Sequence, residues 1–268
     1  MNQQSELQAL ALQADANESQ VYAEMLACAP ASFRARCERV GSGLALITPG
    51  IPIPLFNRVL GLGLQEPVDP EQLAAIESLY AEAGVSRYYI QPLAFARPEN
   101  LPQLLAARGW QSGFDWIKVW RGPEPPPAIA TDLRVRPVND AQAEIFGQVA
   151  AAGFKMPAAM VPWLADVARL RGWQAYLAWD GDRAVAAAAL RVQQTTAWLG
   201  IGATLPEARR RGGQGALMVR RIQDAIAVGC ETIFTETGVL PDQPNPSLAN
   251  MFRTGFRELY LRPNYEKK

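Results

Sequence analysis

The stretch Leu205–Leu217 constrains this chain more than any other. It reads Leu-Pro-Glu-Ala-Arg-Arg-Arg-Gly-Gly-Gln-Gly-Ala-Leu. The apolar run Thr196–Thr204 before it has the character of a buried strand, and Leu217, Ile222, Ala225 and Ile226 after it recur at helical spacing. Strand, basic glycine turn and helix therefore follow one another. Glycines let a backbone approach a ligand closely, and a helix start has unpaired N–H groups and the positive end of the helix dipole. Such places bind anions, and the forked guanidinium of arginine pairs with phosphate oxygens. A surface arginine cluster at an ordinary helix start would give the same local pattern, so the rest of the chain must decide between them.

The 268 residues, 49% of them hydrophobic, suffice for one large domain or two of ordinary size. Lys and Arg number 26 and balance 26 Asp and Glu. No global charge points to nucleic acid or to an anionic membrane, and no apolar run reaches spanning length. The N-terminus has neither a basic start nor an apolar signal core, which makes a cytoplasmic protein the expectation. Cys28, Cys37 and Cys230 are few, odd in number and widely spaced, so they read as free thiols and not as a disulfide frame or a metal site. There is no histidine. Histidine-activated nucleophiles and histidine zinc sites are thereby excluded, and proton transfer falls to Glu, Asp, Tyr, Cys, a terminus or water.

In chain order, residues 5–29 form a helical pattern that breaks near Asp15–Asn17, predicting two short helices or one interrupted helix. Strands are expected at residues 33–36, 43–48, 56–63, 87–90 and 114–120. Helices are expected from Asp69, an N-cap followed by Pro70, to Gly84, and over residues 99–108. The run Gly-Pro-Glu-Pro-Pro-Pro at 122–127 cannot continue a helix or a central strand and marks a boundary. The expected division is an N-terminal lobe at 1–122, a proline-rich linker at 123–130 and a second lobe at 131–268. In the second lobe a short strand at 133–137 precedes helices at 141–153 and 160–171. A hairpin turning at Asp180-Gly181-Asp182 follows, then the strand and basic turn, a strand at 232–237, a proline-rich loop at 241–246, a helix at 247–254 and a last strand near 258–261.

The two halves echo each other. Ala81–Gly84 before a strand resembles Ala225–Gly229, and Leu104–Trp110 resembles Asn250–Phe256. Gly84 and Gly229 lie 145 residues apart, Gly109 and Gly255 146. Shared register implies two copies of one fold. The counterpart of the basic turn falls near Gly61–Pro67, which keeps glycines but offers Glu66, Asp69 and Glu71 in place of arginines. An acidic turn repels phosphate, so the first lobe reads as a copy that does not bind it.

From Leu133 to Tyr265 the order of elements resembles the GNAT superfamily of acetyl-CoA-dependent N-acyltransferases. The family signature, Arg/Gln-x-x-Gly-x-Gly/Ala, matches Arg210, Gly213 and Gly215 in one register. In another, favoured by Pro206-Glu207 and by Ala216-Leu217, it matches Arg209, Gly212 and Gln214, with glutamine where a small residue is usual. The resemblance implies an α/β (α+β) fold of two tandem lobes, each a mixed, mostly antiparallel twisted sheet flanked by helices. It implies acetyl-CoA as co-substrate, no metal, and an amine acceptor on a small molecule or peptide, with no role for nucleic acid or membrane. Arg209, Arg210, Arg211, Gly212, Gly213, Gln214, Gly215 and Ala216 would hold the pyrophosphate, Ala203 and Thr204 the pantetheine arm, and Asn250 would face the cofactor from the next helix or lie on that helix's surface. A P-loop is excluded because no Gly-Lys-Ser/Thr follows the turn, and a dinucleotide fold because the preceding strands form a hairpin.

The family's frequent acid, a tyrosine four residues before the Gly-Phe pair, is Met251 here, with Phe252 beside it. Tyr260 or Tyr265 could stand in for that acid and Glu236 could relay a proton through water, while each also has a plain structural role; Cys230 reads as a buried small apolar residue, and no residue is assigned to catalysis. Two functions stay open: an N-acetyltransferase, or a CoA-binding regulatory or sensor protein that has lost the chemistry. The oligomeric state is not legible.

Overall fold

The computed structural model describes residues 3–240 and 243–267, which form seven α-helices and eleven strands. They fall into two compact units. One comprises Met1–Lys118, Gly238–Gln243 and Leu259–Lys268, the other Val119–Thr237 and Pro244–Glu258.

The first unit opens with α1 (Gln3–Ala27), followed by β1 (Arg36–Val40), β2 (Gly43–Ile47), β3 (Arg58–Leu60), α2 (Pro70–Glu82), β4 (Tyr89–Ile90), α3 (Leu101–Ala107) and β5 (Trp110–Arg121). The last strand of the chain, β11 (Arg257–Lys267), also belongs here from Leu259 onward. Strand order is β1-β2-β3-β4-β11-β5, with β3 and β4 parallel, and β11 antiparallel to β4 through Tyr265 opposite Ile90. The core gathers Leu73, Ile76 and Tyr80 of α2 against Ala45, Ile47, Val59 and Trp110, with Tyr80 stacked on Tyr88 at 3.8 Å between ring centres.

Two expectations need correction in this unit. α1 is one unbroken helix of 25 residues, because Asp15, Asn17 and Glu18, polar enough to suggest an interruption, are buried and held in place. The first strand begins at Arg36, residues Ala31–Phe33 being a 3-10 turn. The expected N-cap is present: the Asp69 carboxylate accepts from the Gln72 N–H at 2.7 Å, with Pro70 in the first helical turn.

The second unit runs β6 (Arg134–Pro137), α4 (Ala143–Gly153), α5 (Met160–Ala168), β7 (Trp173–Asp180), β8 (Arg183–Gln193), β9 (Thr196–Thr204), α6 (Gly213–Ala227), β10 (Thr232–Val239) and α7 (Pro246–Arg253). Its strand order is β10-β9-β8-β7-β6, antiparallel except for β9 with β10. The buried alanines 184 and 186–189 make β8 a strand covered on both faces, and α4 and α6 both pack against it. α4 and α5 cross closely at Gly147, where a Cβ would meet the Val161 carbonyl at 2.4 Å. The proline-rich loop expected at 241–246 lies partly outside the described residues. The last strand extends to Lys267, well beyond its expected end.

The fold class is the expected one, mixed α/β with a mostly antiparallel sheet in each unit. No helix among the described residues is long and apolar enough to cross a membrane.

Candidate cofactor cleft

β9 carries a bulge that shapes the site. Ala187 faces Ala203 and Ala189 faces Gly200, so the two strands lose register between these pairs, and Ile201 takes a left-handed φ of 50°. Arg221, from α6, is buried beneath the bulge. Its guanidinium donates to the carbonyls of Leu217 at 3.0 Å, Ala189 at 3.0 Å and Gly200 at 3.1 Å, and burial pushes its pKa down to about 10. β9 pairs with β10 from Thr196–Thr232 to Trp198–Phe234. One step further the Thr235 hydroxyl donates to the Leu199 carbonyl at 2.7 Å.

Past Thr204 the chain makes a 3-10 turn at Pro206–Ala208, and Arg210 (φ 64°) and Gly212 (φ 78°) are left-handed. Left-handed residues curl successive N–H groups into the kind of concavity that holds anions. α6 begins at once, and its N-cap, Gly212, supplies no side chain to close the terminus. The Ala216 N–H bonds back to the Gly212 carbonyl at 2.9 Å, so the N–H groups of Gly213, Gln214 and Gly215 precede the first intrahelical bond. Gly212 is required by the protein's own packing, since at its left-handed φ a Cβ would meet the Ala130 carbonyl at 2.4 Å; at Gly213 and Gly215 a Cβ would press on the Leu133 and Ile129 side chains at 2.8 and 3.1 Å.

A cleft of about 620 Å³ opens at this terminus. Nine sequence-predicted residues line it: Ala203, Thr204, Arg209, Arg210, Gly212, Gly213, Gln214, Gly215 and Asn250. Arg211 and Ala216 are not among the lining. The Arg211 guanidinium is clamped by Asp132 and by Asp180, the latter at 2.5 Å, and these partners raise its pKa. Ala216 spends its N–H on the helix.

Sequence reasoning missed Gly153 and Phe154 at the end of α4, and Arg253 on α7, which also line the cleft. Arg253 stands three residues after Asn250 on one helix, a spacing that puts both on the same face and would have flagged it. A hydrogen-bonded chain joins them to α6: Arg253 donates to Asn250 Oδ1, Asn250 Nδ2 to Gln214 Oε1, and Gln214 Nε2 to Ser247 at 3.0 Å.

Among the described residues of the lining, arginines are the sole titratable side chains. Met251 is buried, Phe252 is exposed, and Glu236 is not part of the lining. Burial raises the Cys230 thiol, which keeps it protonated at neutral pH. Tyr260 and Tyr265 belong to the first unit.

No family model matches the sequence, and no curated protein matches it significantly. Solved structures do match. A GCN5-related N-acetyltransferase from Kribbella flavida is 15% identical, with a TM-score of 0.64 over 93% of this chain and 95% of its own. One from Sphaerobacter thermophilus is 13% identical, with a TM-score of 0.64 over 84% and 80%. A tandem GNAT protein from the clavulanic acid biosynthesis pathway, solved without AcCoA, is 17% identical, with a TM-score of 0.62 over 99% and 95%. The chain has the tandem GNAT fold.

Proposed function

We propose that the second unit binds acetyl-CoA and that the protein transfers the acetyl group to the amine of a small molecule or peptide. One observation carries this reading: the uncapped N-terminus of α6 opens into a cleft also lined by Arg209, Arg210 and Arg253. N–H groups at Gly213–Gly215 suit a pyrophosphate, and the arginines add charge-assisted contacts. Backbone at Gly202–Thr204, on the same lining, suits the amides of a pantetheine arm. The family resemblance and the shared fold support the same assignment.

Bound acetyl-CoA supplies an activated thioester. The protein's part is to hold it, exclude competing water and let a neutral amine approach. We assign the proton for the departing thiolate to the attacking amine, which must lose one as the amide forms.

The buried Met251 in place of an acid favours a second reading, a CoA-binding sensor without turnover. Calorimetry with acetyl-CoA and CoA, followed by thiol release over a panel of amines, separates the two. Binding with turnover on an amine supports the transferase, binding without turnover on any amine supports the sensor, and no binding overturns both.

A further inference from the structure

The first unit repeats the order strand, glycine turn, helix between β3 and α2, with reversed chemistry. Its helix terminus is closed: Asp69 caps it, the Gln72 side chain accepts from the Asp69 N–H at 3.2 Å, and Glu71 stands in the first turn. No anion is invited there. A cleft of about 480 Å³ nevertheless lies beside Gly61, Leu64 and Gln65, and its α1 wall includes Asp15.

Asp15 is 4% exposed. Its Oδ1 accepts no hydrogen bond and lies 3.5 Å from Arg262 Nη1. Its Oδ2 would stand 3.0 Å from any Cβ added at Gly61, so glycine is what leaves the carboxylate approachable on that side. The cations behind it are already directed at Glu18, which takes Arg58 at 2.8 Å, Lys118 at 2.8 Å and Arg262 at 2.7 Å. A buried carboxylate is costly to keep ionised, and a cation arriving from the cleft on the Oδ2 side lowers that cost while Oδ1 faces Arg262. Arg39, on β1, lines the same cleft and is exposed, and its guanidinium makes no hydrogen bond or ion pair among the described residues. Leu12, Leu44 and Leu64 supply apolar surface on the same lining.

We propose that this cleft binds a small zwitterionic amine of the amino-acid type, its ammonium donating to Asp15, its carboxylate meeting Arg39 and its side chain lying against the leucines. Burial pushes the Asp15 carboxyl up to about 6 against the opposing pull of Arg262. The charged groups facing it are Glu18 from α1, Arg262 from β11, Lys118 from β5 and Arg58 from β3, with Arg39 across the cleft. The carboxylate is therefore ionised at pH 7.5 and lost to protonation below 6.

The test is calorimetry on the full chain with leucine, isopentylamine and 4-methylpentanoate, which share a skeleton and differ in the charged groups they keep. Leucine is expected to bind most tightly, each single-charge probe at least tenfold more weakly. Asp15→Asn and Arg39→Gln are each expected to weaken leucine at least tenfold. Wild-type affinity should fall as pH is lowered from 7.5 to 5, and in Asp15→Asn it should stay flat. If Asp15→Asn does not fold, the wild-type pH series and Arg39→Gln decide. No binding of leucine, tighter binding of 4-methylpentanoate, or unchanged leucine affinity in a folded Asp15→Asn would each overturn the proposal.

Discussion

Asn250 and Gln214 are joined across α7 and α6 by a hydrogen bond from the Asn250 amide to Gln214 Oε1, and the same glutamine reaches Ser247. The length of the Gln214 side chain ties the two walls of the cleft together. Gln214→Ala is expected to weaken acetyl-CoA binding about tenfold, roughly 1.4 kcal/mol, with Gln214→Glu weaker still because it adds negative charge beside a phosphate. Titration calorimetry at fixed salt reads both.

The three consecutive arginines should separate by role. Arg209 and Arg210 line the cleft, whereas Arg211 is held by Asp132 and Asp180. Arg210→Glu is expected to lower CoA affinity more than about tenfold, and Arg211→Gln to change it less than about threefold, with both measured at one ionic strength.

Glu18 has no exposed surface and three cationic partners. Burial alone would raise its carboxyl, but Arg262, Lys118 and Arg58 outweigh it and hold it well below the usual range. Its contribution to stability is present above the unfolded carboxylate range and is lost as pH falls through the depressed folded value. Glu18→Gln leaves buried cations uncompensated and should cost about 3–5 kcal/mol at pH 7, read by urea denaturation.

Asp15 works in the opposite direction. Its folded pKa is raised from 3.8 to about 6, so the ionised form costs stability above pH 6 and the cost is gone below about pH 4. Asp15→Asn should therefore stabilise the ligand-free protein at pH 7.5, on the order of 2–3 kcal/mol, and give no gain at pH 4. Melting temperatures at the two values check the sign.

The parts of the fold that were legible are those whose signals are local. The turn at Asp180–Asp182 set the β7–β8 hairpin, and the strand-turn-helix order around Gly212 placed the cleft within a few residues. What was not legible depended on long-range partners. Asp15–Asn17 suggests an interrupted helix until Arg262, more than two hundred residues away, is brought beside Asp15 and Glu18. Arg211 looked equivalent to its neighbours because nothing in the sequence shows that Asp132 and Asp180 converge on it. Arg253 was within reach of the sequence, three residues from Asn250 on one helix, and only the onward bond from Asn250 to Gln214 depends on how α6 and α7 pack.

The position of β11 has a consequence for how the protein comes into being. Glu18 and Arg262 are separated by 244 residues, yet they meet in one buried cluster, and Asn264 on the same strand takes a hydrogen bond from Gln91. A ribosome delivers Arg262 only after the residues of the second unit have been made. Until then the first unit holds a carboxylate and two cations, Glu18, Arg58 and Lys118, without the residue that completes their cluster. The unit whose residues are made first therefore closes only after the other has been synthesised.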